Sequence, residues 1–179
     1  AFELARKCGF NNINTDLIAG LPTDTPESFK NSLDSIVRLN AECITVHTLC
    51  MKRASRLTTE GVTLDLQQAR DAREMLAYTQ NILGQNEYIP YYMYRQSRMV
   101  GNLENVGWSK RGFESLYNVY VMDETHTILA CGSGGVTKLK RNNPDYLERI
   151  FNFKYPYEYI DRFDELIQRK SGIMQFYGQ

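Results

Sequence analysis

Residues 16–29, DLIAGLPTDTPESF, place an acid inside an apolar run, break the chain at Gly20-Leu21-Pro22 and restart it at Thr25-Pro26. That order constrains the fold more than any other stretch. The segment NINTDLIAG (12–20) reads as a strand running into a sharp turn. Thr25 suits an N-cap and Pro26 the first helical position. Phe29, Leu33, Ile36 and Val37 then recur at helical spacing through 25–40, which gives one apolar stripe. CITVHTL (43–49) reads as a second strand. Residues 65–83 read as a second helix, with Ala69, Ala72, Leu76, Thr79 and Leu83 on one face and Gly84 as its stop. YIPYYMYRQ (88–96) is a third strand. Strand, helix, strand, helix, strand is the order of parallel strands joined by crossover helices. Ahead of it, residues 1–8 look like the last turns of a helix already under way, stopped by Gly9. The expectation is a fragment of a longer chain, with Asn12–Gly20 as an unpaired edge strand.

The pattern changes after residue 100. YNVYVM and TILACG, joined by DETH, read as an antiparallel hairpin. KLKRNNP (138–144) reads as a solvated loop, with Asn143-Pro144 and Tyr155-Pro156 as helix starts. Tyr157, Ile160, Phe163 and Ile167 share a helical face that ends at Gly172. An α/β part, 1–100, is thus followed by a hairpin and helical accessory part, 101–179.

Composition narrows the class. The 179 residues are 42% hydrophobic and 23% charged, with formal net charge +0. No charge excess favours nucleic acid or a membrane surface, and no apolar run approaches the roughly 20 residues of a membrane span. No signal peptide is evident, and a cytoplasmic location is expected. Cys8, Cys43, Cys50 and Cys131 are scattered rather than clustered, as free thiols acting as small apolar residues would be.

In parallel α/β folds ligands bind at the carboxyl ends of strands. A carboxylate deep in a strand needs donors. Asp16 therefore faces a ligand's hydroxyls or ammonium, or else an Arg or turn amides in a purely structural role; its position leaves both open. His47 reads as a core histidine and His126 as a solvated turn residue. GSGG (132–135) reads first as a loop of close backbone approach and second as an anion cradle. Arg95, Arg98, Lys110 and Arg111 flank the Tyr-rich strand, where arginine could take carboxylates bidentately or simply be solvated.

One resemblance is specific. NINTDLIAGLPTDTPESFKNSLDSIVRLN followed by ECITVHTL resembles the later barrel strands of the oxygen-independent coproporphyrinogen III oxidase family, which are radical S-adenosylmethionine (SAM) enzymes. PYYMYRQSRMVGN, NLENVGWSKRG and ACGSGG look most like its coproporphyrinogen dehydrogenase branch. The resemblance covers essentially the whole chain. It implies the last part of a partial (β/α) barrel followed by a C-terminal accessory domain. It implies an oxidoreductase of heme and porphyrin biosynthesis that uses SAM and a 4Fe-4S cluster. In that chemistry a SAM-derived radical abstracts hydrogen from a propionate and carbon dioxide is lost. Carried over by motif, Asp16 corresponds to an acid that contacts SAM, and Gly132, Gly134 and Val136 to a loop near the active site that touches a second SAM in some members. Arg95 and Arg98 are candidates for the carboxylates of a tetrapyrrole substrate. The CxxxCxxC loop that would ligate the cluster is absent from these residues, so no metal ligand is expected here. The cluster, and the missing N-terminal barrel half as partner, are expected upstream. The isolated chain is then expected to be inactive. A heme-binding chaperone-like relative and a non-catalytic α/β binding module are the alternatives.

Overall fold

The computed structural model describes residues 1–51, 57, 61, 63, 65–96, 99–143 and 145–178. Two compact units contain them, Ala1–Ser115 and Leu116–Gln179.

The first unit follows the order read from the sequence, with one strand added. It holds α1 (Phe2–Lys7), β1 (Asn14–Ala19), α2 (Pro26–Leu39), β2 (Cys43–Thr48), α3 (Leu66–Gln85), β3 (Ile89–Tyr94), a 3-10 turn (Val100–Asn102) and β4 (Asn105–Ser109). Helix α2 opens on a reciprocal cap: the Ser28 amide donates to Thr25 Oγ1 at 3.2 Å and the Thr25 amide to Ser28 Oγ at 3.0 Å. It closes on Asn40 in the left-handed region. Asp65 and Gln68 cap α3 in the same way. Gly84 does not stop α3, which runs on to Gln85; the left-handed residue beyond it is Glu87.

The sheet order is β1–β2–β4–β3. β1 and β2 are parallel, from Asn14 opposite Cys43 to Ala19 opposite Thr48. β4 is antiparallel to both β2 and β3. β3 therefore runs in the direction expected of it, but it does not pair with β2. The short segment NVGWS has inserted between them, too brief to carry a legible period-2 pattern.

One face of the sheet is covered by α2 and α3. Ala19, Ile44 and Val46 of the strands meet Phe29 and Leu33 of α2 and Met75 and Leu83 of α3, all essentially out of water. Each large side chain buried this way stabilises the unit by roughly 1.5–3 kcal/mol. At the start of β2, Glu42 takes two hydrogen bonds from Arg6, at 2.6 and 2.8 Å, and one from the Ile13 amide at 3.0 Å. Those bonds pin α1 and the entry of β1 to the sheet.

The second unit departs more from the sequence reading. Leu116–Asp123 is a helix (α4), not the first strand of a hairpin. Its Tyr/Val alternation mimics a strand. What accompanies the helix is long-range: Lys138 Nζ donates to the Val121 carbonyl and to Glu124. The hairpin lies further on, β5 (Val136–Asn142) against β6 (Asp145–Phe151) in antiparallel register. Residues 138–143 are thus strand and turn rather than a loop ahead of a helix, and Pro144 lies outside the described residues. Three basic side chains, Lys138, Lys140 and Arg141, hid the alternation in which Thr137 and Leu139 turn inward.

Three short helices follow, α5 (Pro156–Asp161), α6 (Phe163–Lys170) and α7 (Gly172–Tyr177). The break at Arg162 undoes the expected stripe, and Tyr157, Ile160, Phe163 and Ile167 are all exposed. Leu166 and Phe176 are buried instead, Phe176 in a small core with Leu139 and Ile150. Phe153 is flanked by the guanidinium groups of Arg162 and Arg169, each 4.1 Å from its ring centre.

Candidate functional site

The sheet face away from the helices carries the polar chemistry of the first unit. Alternation along β1 puts Asn14, Asp16 and Ile18 there, with Thr45 and His47 of β2 beside them by register. On β3 the ladder slips between Pro90 and Tyr92, so Tyr91 is an extra residue opposite β4. The slip sends the rings of Tyr92 and Tyr94 across β4 to β2. Tyr92 OH lies 3.3 Å from Thr45 Oγ1, and Tyr94 OH lies 3.4 Å from His47 Nδ1. The two rings are nearly parallel, 8° apart with centres 6.4 Å apart. Against them Thr45, Asn105 and Gly107 are buried on the face away from α2 and α3, and Ser109 is buried beside Cys43.

Among the described residues Asp16 is the one carboxylate in this network. Its side chain is 59% exposed, so it is not the deeply buried acid its apolar neighbours suggest. The reason is topological: β1 is an edge strand of this sheet, and Asp16 lies on the face away from α2 and α3. Asn14 Nδ2 donates to Asp16 Oδ1 at 2.7 Å, and His47 Nε2 faces the same oxygen at 3.7 Å. Oδ2 has no partner among the described residues. Among the described residues no arginine sits against it; its neighbours there are an amide and an imidazole.

Because a carboxylate only accepts, the remaining hydrogen bonds have a fixed direction. Asn14 must turn its NH2 to Asp16, so its carbonyl oxygen faces Thr45, 3.1 Å away. Thr45 spends its single hydroxyl proton on that oxygen and can only accept from Tyr92. On the other side, His47 presents Nε2 to Asp16 Oδ1 at 3.7 Å, beyond hydrogen-bond distance, and Nδ1 to Tyr94 OH at 3.4 Å. Burial pushes both phenols above their ordinary range, so both remain protonated donors at neutral pH. One donor chain, begun by Tyr92, ends on Oδ1 of Asp16, and the His47 ring stands near the same oxygen with Tyr94 behind it.

Sequence reasoning singled out Asp16 and missed its partners. His47 reads as a core histidine, and Asn14, Thr45, Tyr92 and Tyr94 lie within the quoted stretches without any role read for them. The period-2 spacing of Asn14 and Asp16, and of Thr45 and His47, was the available signal.

Arg95 stands elsewhere. It lines a cleft of about 440 Å³ on the helix side of the sheet, with Val46, Leu76, Met93 and Trp108. It is ion-paired with Glu104 at 2.8 Å. Arg98 lies outside the described residues. Lys110 bonds Asn40 and lies over the Tyr88 ring, 5.5 Å from its centre.

In the second unit the GSGG loop uses its own amides. The Gly132 amide donates to Tyr159 OH at 3.1 Å, Gly134 to the Phe153 carbonyl at 2.7 Å and Gly135 to the Gly132 carbonyl at 3.2 Å. An anion cradle needs those groups free, so close approach accounts for the loop. A Cβ at Gly135 would lie 3.0 Å from the Cys131 oxygen and 3.1 Å from Asn152 Nδ2. Val136 opens β5, paired with Phe151. Asn152 is buried, donates to the Gly132 carbonyl at 2.8 Å, and leaves its Oδ1 without a partner among the described residues.

Among the described residues no group of three or more His, Cys, Asp or Glu side chains could hold a metal ion. Cys43 is buried, its thiol donates to the Phe113 carbonyl, and burial holds its pKa up. These residues do not fit a 4Fe-4S cluster, which needs clustered thiolates. Among the described residues no helix is long and apolar enough to cross a membrane.

No protein-family model matches the chain. Over 174 residues, 97% of its length, it is 37% identical to the oxygen-independent coproporphyrinogen-III oxidase-like protein HemZ of Bacillus subtilis, and it covers 35% of that protein. It is 29% identical over 150 residues to the heme chaperone HemW of Lactococcus lactis, covering 35% of that protein. Among solved structures, coproporphyrinogen III oxidase (HemN) from Escherichia coli, described as a radical SAM enzyme, matches with a TM-score of 0.58 at 18% identity. That match takes in 92% of this chain and 36% of HemN, and at that identity it is a likeness of fold. The mixed α/β architecture is accordingly that of the C-terminal part of such a fold. The chain spans about a third of the length of HemZ.

Proposed function

The chain is a homologue of the oxygen-independent coproporphyrinogen-III oxidase-like proteins over nearly its whole length, and from that kinship we propose that it is the C-terminal portion of a radical SAM oxidoreductase acting on coproporphyrinogen III. Residues 1–100, with β4 added from beyond them, contribute late barrel strands and the second unit an accessory domain, with the N-terminal half of the barrel supplied by the rest of the protein. The observation that carries the reading is Asp16: a half-open carboxylate in a parallel strand pair, oriented through Oδ1 and, among the described residues, without a partner at Oδ2. Oδ2 can accept from the hydroxyls or ammonium of SAM. SAM and the 4Fe-4S cluster, whose ligands lie outside this chain, supply one-electron chemistry when bound. The chain's own part is to orient SAM at Asp16 and to keep the surrounding face covered by tyrosines. Gly132, Gly134 and Val136 shape the accessory loop, and Arg95 and Arg98 remain candidates for substrate carboxylates. Arg95 would first have to leave Glu104. The proposed setting is cytoplasmic.

The test is SAM affinity in the full-length protein. Asp16→Asn keeps the shape and removes the charge. A charge-assisted hydrogen bond is worth roughly 1.5–3 kcal/mol, so affinity should fall about ten- to a hundredfold. Unchanged affinity would return Asp16 to a structural role. Anaerobic iron–sulfur reconstitution of the isolated 179 residues should give no stable cluster absorption and no turnover; a stoichiometric cluster would sink the assignment.

The similarity to HemW favours one second reading, a heme-binding chaperone. Stoichiometric heme binding by the full-length protein, without loss of carbon dioxide from coproporphyrinogen III, would select it.

A further inference from the structure

We infer that Tyr92, seated over Gly107, is a positioning residue for Asp16. The inference rests on the reading that Asp16 receives SAM.

Gly107 sits inside β4, where a glycine weakens a strand unless something needs the space. Here the need is visible. A Cβ at Gly107 would fall within the ring of Tyr92, whose Cε1, Cδ1 and Cζ are its nearest neighbours. Gly107 does not have a positive φ, so backbone freedom is not the reason for it. The glycine opens a trough across β4, and the Tyr92 ring lies in it to reach from β3 to β2. The ladder slip at Tyr91 turns the ring to that face.

At the end of the trough Tyr92 donates to Thr45 Oγ1 at 3.3 Å, Thr45 donates to Asn14 Oδ1 at 3.1 Å, and Asn14 donates to Asp16 Oδ1 at 2.7 Å. The directions follow from the carboxylate outward, so the chain has one consistent polarity, and each bond strengthens the next. Asn14 and Asp16 are exposed and on an edge strand, where a short polar side chain would otherwise sample several rotamers. Thr45 is buried and cannot drift. Tyr92 locks the Thr45 hydroxyl, Thr45 fixes which way the Asn14 amide faces, and Asn14 holds Oδ1. What remains for a ligand is Oδ2, presented in one orientation. No charge is brought in, so the acid keeps its full attraction for a cationic or hydroxyl-bearing ligand.

The test is a double-mutant cycle on SAM dissociation constants in the full-length protein. Tyr92→Phe removes one hydroxyl and keeps the ring; it should weaken SAM roughly two- to tenfold. In the Asp16→Asn background the same change should have no further effect, because the residues act as one unit. Gly107→Ala deletes no polar group yet displaces the ring, and should match Tyr92→Phe. Thr45→Ser should retain affinity, whereas the isosteric Thr45→Val should lose it. If Gly107→Ala does not fold, the Tyr92 and Thr45 variants decide. An equal loss from Tyr92→Phe in both backgrounds, or no loss in either, overturns the positioning role. If Asp16→Asn weakens SAM and Tyr92→Phe does not, the positioning role alone fails. If Asp16→Asn is itself without effect, the reading of Asp16 fails and the positioning role with it.

Discussion

The two faces of the four-stranded sheet solve the same problem by different means. On one, α2 and α3 seal Ile44 and Val46 beneath Phe29, Leu33, Met75 and Leu83. On the other, the phenol rings of Tyr92 and Tyr94 lie against buried Thr45, Gly107 and Asn105, and Asp16 on the edge strand stays more exposed than buried. The apolar face gains its free energy from area removed from water, which is non-directional and large. The tyrosine face gains little of it. Its hydrogen bonds are directional and each is worth about 1 kcal/mol net, so they fix geometry more than they hold the fold. Stability and ligand orientation are thus separable on one sheet, and substitutions should separate them.

The largest expected effect is on the helix side. Phe29→Ala should cost about 3–5 kcal/mol of unfolding free energy, read as a lower urea midpoint, because Phe29 is essentially inaccessible and its cavity cannot close. A loss under about 1 kcal/mol would mean that this face is not the core.

Next comes the sheet entry. Burial alone would raise the Glu42 carboxyl, but hydrogen bonds from Arg6 and the Ile13 amide and the Arg6 charge outweigh it and hold the pKa below the ordinary value. A depressed folded-state pKa means that the contribution is fully present above the unfolded value, about 4.3, and is lost as pH falls through the folded one. Stability of the wild type should therefore drop on acidification below about pH 4.3. Glu42→Gln should cost roughly 1.5–3 kcal/mol at neutral pH and flatten that slope, which denaturation at several pH values would show. An unflattened slope would assign the acid sensitivity to other carboxylates.

On the tyrosine side the effects on stability should be small. Tyr92→Phe should cost no more than about 1 kcal/mol, since the ring stays in the Gly107 trough and only the bond to Thr45 is lost. Asp16→Asn should change stability by less than about 0.5 kcal/mol, because the side chain is more exposed than buried. Thermal unfolding of both variants would check this. A drop of several kcal/mol for Asp16→Asn would erase the contrast and make the acid a structural group.

Much of the helix face was legible in the sequence. The stripe on α2 and the cap at Thr25 follow from local chemistry and reappear nearly unshifted, and the structure adds a left-handed close at Asn40. The second unit was less legible. α4 has aromatic and β-branched residues without helical amphipathicity, and β5 has basic residues over an alternation of only two buried positions. Local propensity spoke for the wrong element in both, and tertiary contacts overrode it.

The candidate site divides the same way. The sequence by itself determined that Asp16 stands on a strand ahead of a Gly-Leu-Pro turn and a capped helix, because strand period, turn residues and caps act over a few residues. Only the tertiary structure decided which groups face the acid. β4 enters between β2 and β3, although it follows both in the chain. A slip of one residue at Tyr91 then moves Tyr92 and Tyr94 to the face of Thr45 and His47, and Met93 and Arg95 to the other. Side chains alternate with a period of two, so a single extra residue exchanges the faces of everything after it. Pairing between distant strands sets that residue, and no local pattern in YIPYYMYRQ records it.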